Sequence, residues 1–323
     1  MSCNPVLEVK GLSKQYVVKR SFWGKPLTLV SAIRGIDLTV RQGETLGIVG
    51  ESGCGKSTLA RMLVGLHAPT EGTITLGQNQ LQHHDSVSLG KEIQYIFQDP
   101  ISSLNPRKTI RQTMEAPLKY LFNMPKQERV RVVNEMFDRV SLRREFLERY
   151  PHEFSGGQAQ RIGVARALVC NPKVLVLDEP VSALDVSVQA QVLNLLAELK
   201  ESLDLTYLFI SHDLAVIEAV ADRVAVLYFG EVVEMAPAEK IFSAAHHPYT
   251  KLLANSAPVV GRKIQVPVQA SELPDPINPP QGCAFASRCP QAQAKCREHA
   301  PKLQPFHNDA QVQFACHYPL NVE

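Results

Sequence analysis

The sequence predicts a layered α/β fold, built on a parallel or mixed sheet and followed by a small Pro-rich extension. Three observations predict it. From the N-terminus to about residue 250, short apolar runs alternate with helix-compatible segments. A Gly-rich turn stands between one of these runs and the helix that follows. Residues 256–323 hold 10 of the 22 prolines and few periodic apolar stretches, which separates a domain over 1–255 from an extension over 256–323. At roughly 150 residues per domain, a 323-residue chain accommodates this unequal division.

Taken in order, VLEVKGLSKQY and IRGIDLTVRQGE read as antiparallel strands ahead of the Gly-rich turn. LGIVG (46–50), EIQYIFQ (92–98), KVLVLDE (173–179), TYLFISH (206–212) and RVAVLYFG (223–230) are short hydrophobic runs of the kind buried in sheets. Between them, STLARMLVGL, residues 127–149, QAQRIGVARALV and SVQAQVLNLLAELKESL carry helical spacing and good helix formers. Composition narrows the class. With 45% hydrophobic and 20% charged residues the chain is no disordered polyelectrolyte, and its net charge of +2 gives no electrostatic basis for a long nucleic-acid track. The opening MSCNPVLEVKGLSK lacks the basic stretch and apolar core of a secretory signal. The most apolar late stretch is interrupted by His212, Asp213, Glu218, Asp222 and Arg223, which argues against a lipid-facing span.

Phosphate chemistry is the strongest signal. Gly50-Glu51-Ser52-Gly53-Cys54-Gly55-Lys56-Ser57-Thr58 fits G-x-x-x-x-G-K-[ST] between a strand and a helix. The glycines let successive amides face phosphate oxygens, Lys56 neutralises β and γ phosphate charge, and Ser57 is placed to ligate magnesium. Cys54 has no metal-ligand context. The run Val174–Leu177 then delivers Asp178 and Glu179 at a strand end, where alternation points them to opposite sides: Asp178 toward magnesium, Glu179 toward the attacking water. Together these imply a nucleoside triphosphatase. A further segment, Phe154-Ser155-Gly156-Gly157-Gln158, places two glycines at a helix start, a second set of amides for a triphosphate already held by the first loop. A second chain resolves this: in a head-to-tail dimer the segment caps ATP bound to the partner's loop.

At this point the sequence closely resembles the nucleotide-binding subunits of ATP-binding cassette transporters, over residues 5 to about 250. The resemblance rests on GESGCGKST, Gln98 in IFQDP, FSGGQ, VLVLDEP, SALD (182–185) and His212 in ISHD. It implies a P-loop ATP-binding cassette with an antiparallel β subdomain and a helical subdomain. It also implies that Tyr16 stacks on adenine and that Gln98 senses magnesium and couples to the membrane subunit. Glu179 would be the catalytic base, His212 would contact the γ phosphate, and Asp185 would help join two ATPase subunits. Taken alone, Gln98 reads as turn chemistry, Tyr16 as packing and His212 as a satisfied polar residue. IFQDPISSLNPRKTI, YPHEFSGGQAQRIGVARAL and PVSALDVSVQAQVLNLL are similar to bacterial oligopeptide, dipeptide and nickel importers. That resemblance implies Asp99, Ser103, Leu104 and Asn105 near the groove for a permease helix. It further implies a role as the second of two nonidentical ATPases, two permease subunits, an extracellular binding protein, and a peripheral position on the cytoplasmic face of the inner membrane. Ala159 departs from the arginine more usual after SGGQ and removes a potential partner contact. Other classes the residues admit are a soluble non-transport cassette ATPase, which lacks support because no coiled-coil insertion or second cassette is evident, and a noncatalytic assembly subunit, disfavoured by retention of Lys56, Asp178, Glu179 and His212.

The extension concentrates Cys283, Cys289, Cys296 and Cys316. Chemistry alone leaves open an iron-sulfur centre, zinc or uncoordinated thiols; the wide spacing weakens zinc. Similarity to the importers' C-terminal extension, in GC-x-F-x-x-RC-P and the later Cys316-His317, implies a [4Fe-4S] cluster on these four cysteines, acting as a structural clamp.

Overall fold

The computed structural model describes residues 5–21, 23, 26–80, 86–256 and 273–321. In chain order they form β1 (Pro5–Arg20), β2 (Pro26–Arg41), β3 (Thr45–Val49), α1 (Lys56–Leu63), β4 (Glu71–Leu76), β5 (Asn79–Gln80), α2 (Ser86–Glu92) and β6 (Ile93–Ile96). The chain continues through α3 (Ile110–Phe122), α4 (Lys126–Arg139), α5 (Gly156–Leu168), β7 (Val174–Asp178), α6 (Val186–Leu203), β8 (Thr206–Ile210) and α7 (Leu214–Val220). It ends with β9 (Arg223–Tyr228), β10 (Glu231–Pro237), α8 (Ala238–Ser243), α9 (Pro248–Ser256), α10 (Ala294–Glu298), β11 (Gln304–Phe306) and β12 (Asp309–Phe314). The first part of the expected extension, 257–272, lies outside the described residues.

One body comprises the described residues of Leu7–Thr39, Thr45–Gln80 and Ser211–Glu323. All five residues of β3 are buried, as the uninterrupted apolar run LGIVG demands of a strand covered on both faces. β3 pairs in parallel with β9, Leu46 opposite Arg223 and Val49 opposite Val226. β9 returns as antiparallel β10 through Phe229 and Gly230, both at positive φ (49° and 82°), the turn geometry whose twist matches a hairpin. β12 and then β11 extend the sheet beyond β10, with Glu234 opposite Phe314, so the tail is partly a β-structure. A separate sheet in the order β2-β1-β4-β5 holds the expected N-terminal antiparallel strands, with Leu7 opposite Leu76 and a bulge between Lys10 and Ser13.

The second body comprises the described residues of Met1–Val6, Val40–Glu44 and Leu81–Ile210. Its strands β6, β7 and β8 are parallel, with Ile93 opposite Val174 and Val174 opposite Thr206. The helix expected over 127–149 is shorter. α4 stops at Arg139 because Ser141 turns left-handed (φ 56°), its amide donating to the Asp138 carbonyl and that of Leu142 to Phe137; only a 3-10 turn, Arg144–Glu148, follows. α5 starts at the expected Ser155, whose amide donates to Gln158 Oε1 at 3.2 Å, half of a reciprocal S-x-x-Q cap. Its buried residues, including Ile162, Gly163, Val164, Ala165 and Leu168, wrap most of the helix circumference, so this is an interior helix rather than an amphipathic surface one. Ala159 is 1% exposed; the side chain is part of that packing and an arginine there would need desolvation.

Candidate active site

The phosphate loop is held by its backbone. Gly50 and Gly55 lie at φ 155° and 111°, and a Cβ on either would come within 2.2 Å of the Leu227 carbonyl oxygen or 2.6 Å of that of Ala32. Both positions therefore require glycine. The Gly230 amide donates to the Cys54 carbonyl at 2.8 Å, so the β9–β10 turn supports the loop from outside. Lys56 is 6% exposed, and its ammonium donates to the carbonyls of Gly50 (2.7 Å) and Glu51 (3.1 Å). Ser52 and Gly53 are exposed, Ser57 and Thr58 half-buried. Cys54 is buried, and burial pushes its thiol up despite Lys56, so it is a packed neutral thiol. In the same body, His212 is exposed just ahead of Asp213, which caps α7 by accepting from the Ala215 amide at 2.9 Å. Tyr16 keeps 37% of its surface exposed; His67 meets its ring edge-on at 6.2 Å and Lys14 Nζ lies 5.2 Å from its centroid.

The carboxylates belong to the second body. Asp178 closes β7 and is 4% exposed; Tyr95 of β6 donates its hydroxyl to Asp178 Oδ2 at 2.5 Å. Glu179, just past the strand, adopts φ 50°, unusual for a residue with a side chain, and its amide donates to the Ile210 carbonyl at 2.9 Å. Gln98 Nε2 donates to Glu179 Oε2 at 2.9 Å. The structure thus joins two residues that the sequence pointed to separately. Tyr95 was missed, although its place in EIQYIFQ three residues before Gln98 was the available signal. We expect Tyr95→Phe to lower stability by about 1.5–3 kcal/mol, the usual worth of a hydrogen bond to a charged group, read as a lower urea midpoint with an unchanged denaturant slope.

A cavity of about 330 Å³ opens at the start of α5, lined by Ser155, Gly156, Gly157, Gln158, Arg161 and Asp185 among others. A Cβ on Gly157 would approach Val188 Cγ1 to 2.5 Å, so close packing of α5 on α6 fixes this opening. The expected signature segment and Asp185 are therefore brought to one recess.

Comparison with known proteins follows the same lines. Residues 33–182 match the ABC transporter family, and residues 233–296 match the oligopeptide/dipeptide transporter C-terminal region. The chain is 46% identical over 321 residues to the oligopeptide transport ATP-binding protein AppF of Bacillus subtilis, covering 97% of each. This chain belongs to the ABC-transporter ATP-binding proteins. It is also 47% identical to the dipeptide transport ATP-binding protein DppF of Haemophilus influenzae, over 97% of this chain and 96% of that one. A dimeric, post-hydrolysis ATP-binding cassette bound to ADP and Pi superposes with a TM-score of 0.64 at 28% identity, covering 72% of this chain and 98% of that one. The P-loop cassette fold is thereby established, and the protein is an ATPase.

The ABC ATPase departs from expectation in its tail. Among the described residues no group of three or more His, Cys, Asp or Glu side chains is arranged to hold a metal ion, which corrects the expectation of a [4Fe-4S] cluster, and equally of zinc, on Cys283, Cys289, Cys296 and Cys316. All four are free cysteines. Burial, and secondarily the neighbouring thiols, pushes Cys316 up to about 11; Cys283 and Cys289 are raised for the same first reason. Cys283, Cys289 and Cys316 are neutral thiols at neutral pH. The stability problem that suggested a cluster is solved by other means. Phe285, 2% exposed, packs its ring 5.4 Å from both Tyr228 and Tyr249, β12 pairs with β10, and His246 stacks on Phe314 at 5.2 Å.

Proposed function

We propose that this ATPase powers the import of peptides or related small solutes through a separate membrane permease. The observation that carries this reading is the match to peptide-transport ATP-binding proteins along 97% of the chain, extension included. In this reading a cassette over 1–255 performs the chemistry and the extension over 256–323 supports it. The loop from Gly50 to Thr58 binds the triphosphate, with Lys56 on the β and γ phosphates, Tyr16 against the adenine and His212 at the γ phosphate. Ser57, Asp178 and Gln98 offer only oxygen donors toward a cation, the chemistry magnesium prefers, and magnesium bound with the nucleotide neutralises phosphate charge. Glu179, oriented by Gln98, takes the proton of the attacking water. Ser155, Gly156, Gly157, Gln158 and Asp185 serve a nucleotide held by a second, related ATPase subunit; their common recess supports this.

Two permease subunits and an extracellular solute-binding protein complete the assembly, with this chain peripheral on the cytoplasmic face of the bacterial inner membrane. Among the described residues no helix is long and apolar enough to cross a membrane. The test is reconstitution of the chain with its neighbouring permease and ATPase subunits in proteoliposomes. ATP turnover should rise severalfold when peptide-loaded binding protein is enclosed on the opposite side. Assembly that hydrolyses ATP with no response to any loaded binding protein would overturn the import reading.

A further inference from the structure

The second residue of the phosphate loop, Glu51, is gripped at three points. Its carbonyl accepts from Lys56, its amide donates to Tyr249 Oη at 2.9 Å, and its carboxylate receives a two-pronged bond from Arg288 of the extension, at 2.7 and 2.8 Å. Arg288 lies 237 residues away in sequence, and its side chain is 11% exposed against 31% for that of Glu51. The guanidinium sits 5.6 Å from the centroid of Phe285 and 5.9 Å from that of Tyr228, and its own amide bonds to the Phe285 carbonyl at 3.0 Å. Phe285 is in turn plugged against Tyr228 and Tyr249. Leu273 is also close to the loop: a Cβ on Gly53 would lie 3.6 Å from Leu273 Cδ1. All of these residues belong to one body.

A carboxylate within a phosphate loop is an electrostatic liability. Left unpaired it repels a triphosphate, competes for Lys56, and is free to swing across the loop. Bidentate pairing with a rigid guanidinium removes most of that charge and fixes its direction, which a flexible ammonium does less well. We infer that Arg288 is a positioning residue for ATP binding: it cancels the charge of the Glu51 carboxylate and keeps it from swinging across the phosphate loop, making the extension a part of the nucleotide site. This rests on the phosphate-loop reading of Gly50–Thr58.

The experiment measures the affinity of the purified full-length chain for a fluorescent ATP analogue with magnesium, at low and high salt, for the wild type, Arg288→Ala, Arg288→Lys, the double variant Glu51→Gln/Arg288→Ala, and Lys56→Ala. Arg288→Ala should weaken binding on the order of tenfold at low salt and less at high salt, since the uncovered charge is screened. Removing that charge in Glu51→Gln/Arg288→Ala should recover most of the loss, and Arg288→Lys should fall between. A purely structural role would give no such recovery, because the double variant lacks the same tie. Wild-type affinity in Arg288→Ala, or a double variant as weak as Arg288→Ala, overturns the inference. Undiminished affinity in Lys56→Ala overturns the phosphate-loop reading itself, whatever Arg288 does. If Arg288→Ala fails to fold, as seen by circular dichroism, the Arg288→Lys chain carries the test: wild-type affinity there at both salts overturns the bidentate requirement.

Discussion

Glu179→Gln should cut steady-state ATP turnover about 10²–10³-fold while leaving nucleotide affinity within a fewfold of wild type. The substitution suits the site. Glutamine has the same length and can still accept the Gln98 Nε2 hydrogen bond through its amide oxygen, which keeps the side chain near its present direction. The backbone at φ 50° is equally awkward for either residue, so the amide bond to Ile210 is retained. What the variant loses is the ability to take a proton from water. A fall in turnover with binding intact therefore isolates the base from the scaffold. Single-turnover hydrolysis of radiolabelled ATP, beside equilibrium binding of the same nucleotide, separates the two quantities. Near-wild-type turnover would remove Glu179 from the chemistry, and loss of both turnover and binding would make it a structural residue. The companion Gln98→Ala should give a smaller loss, because the Glu179 carboxylate would stay as proton acceptor but lose its orienting donor.

The parts of this molecule that were legible in the sequence are those whose signal is local. LGIVG, KVLVLDE and TYLFISH each contain four or more consecutive apolar residues, and β3, β7 and β8 are buried at every residue. The loop at Gly50–Thr58 and the helix start at Ser155 are likewise written in consecutive residues. Elements that depend on distant partners were not legible. α3 carries Pro117 in its interior, a residue that argues against a helix, and is secured by a Thr109–Gln112 capping box. β11 and β12, reading QPF and DAQVQF, are short, with only Val312 buried, and owe their existence to pairing, β12 with β10 and β11 with β12. The contacts that shape the site span 81 residues for Gln98–Glu179, 83 for Tyr95–Asp178 and 237 for Arg288–Glu51. The four clustered cysteines, read through their similarity to the importers' extension, pointed to a cluster for the same reason in reverse: that reading registered the residues but not the aromatic packing around Phe285 that orders the tail.

Lys56→Ala should abolish productive binding of ATP with magnesium and bring hydrolysis to background. Two effects act together. The ammonium is the loop's fixed positive charge, and its removal leaves the phosphates to backbone amides and the α1 dipole, each a weaker partner for a polyanion. It is also a structural tie, because Lys56 is buried and donates to the carbonyls of Gly50 and Glu51. Losing that donor costs about 1–3 kcal/mol when an acceptor is left unmatched, so the nucleotide-free chain should melt at a lower temperature as well. Thermal denaturation with and without ATP and magnesium reads both effects at once. The wild type should gain several degrees from saturating ligand by mass action, whereas the variant should start lower and gain nothing. Lys56→Arg does not repair the site: a planar guanidinium is wider than an ammonium, and the 6% exposure of Lys56 leaves little room for it. A variant that loses the ligand-induced shift yet melts like the wild type without nucleotide would assign Lys56 to phosphate charge alone. An unaltered shift would remove it from the site.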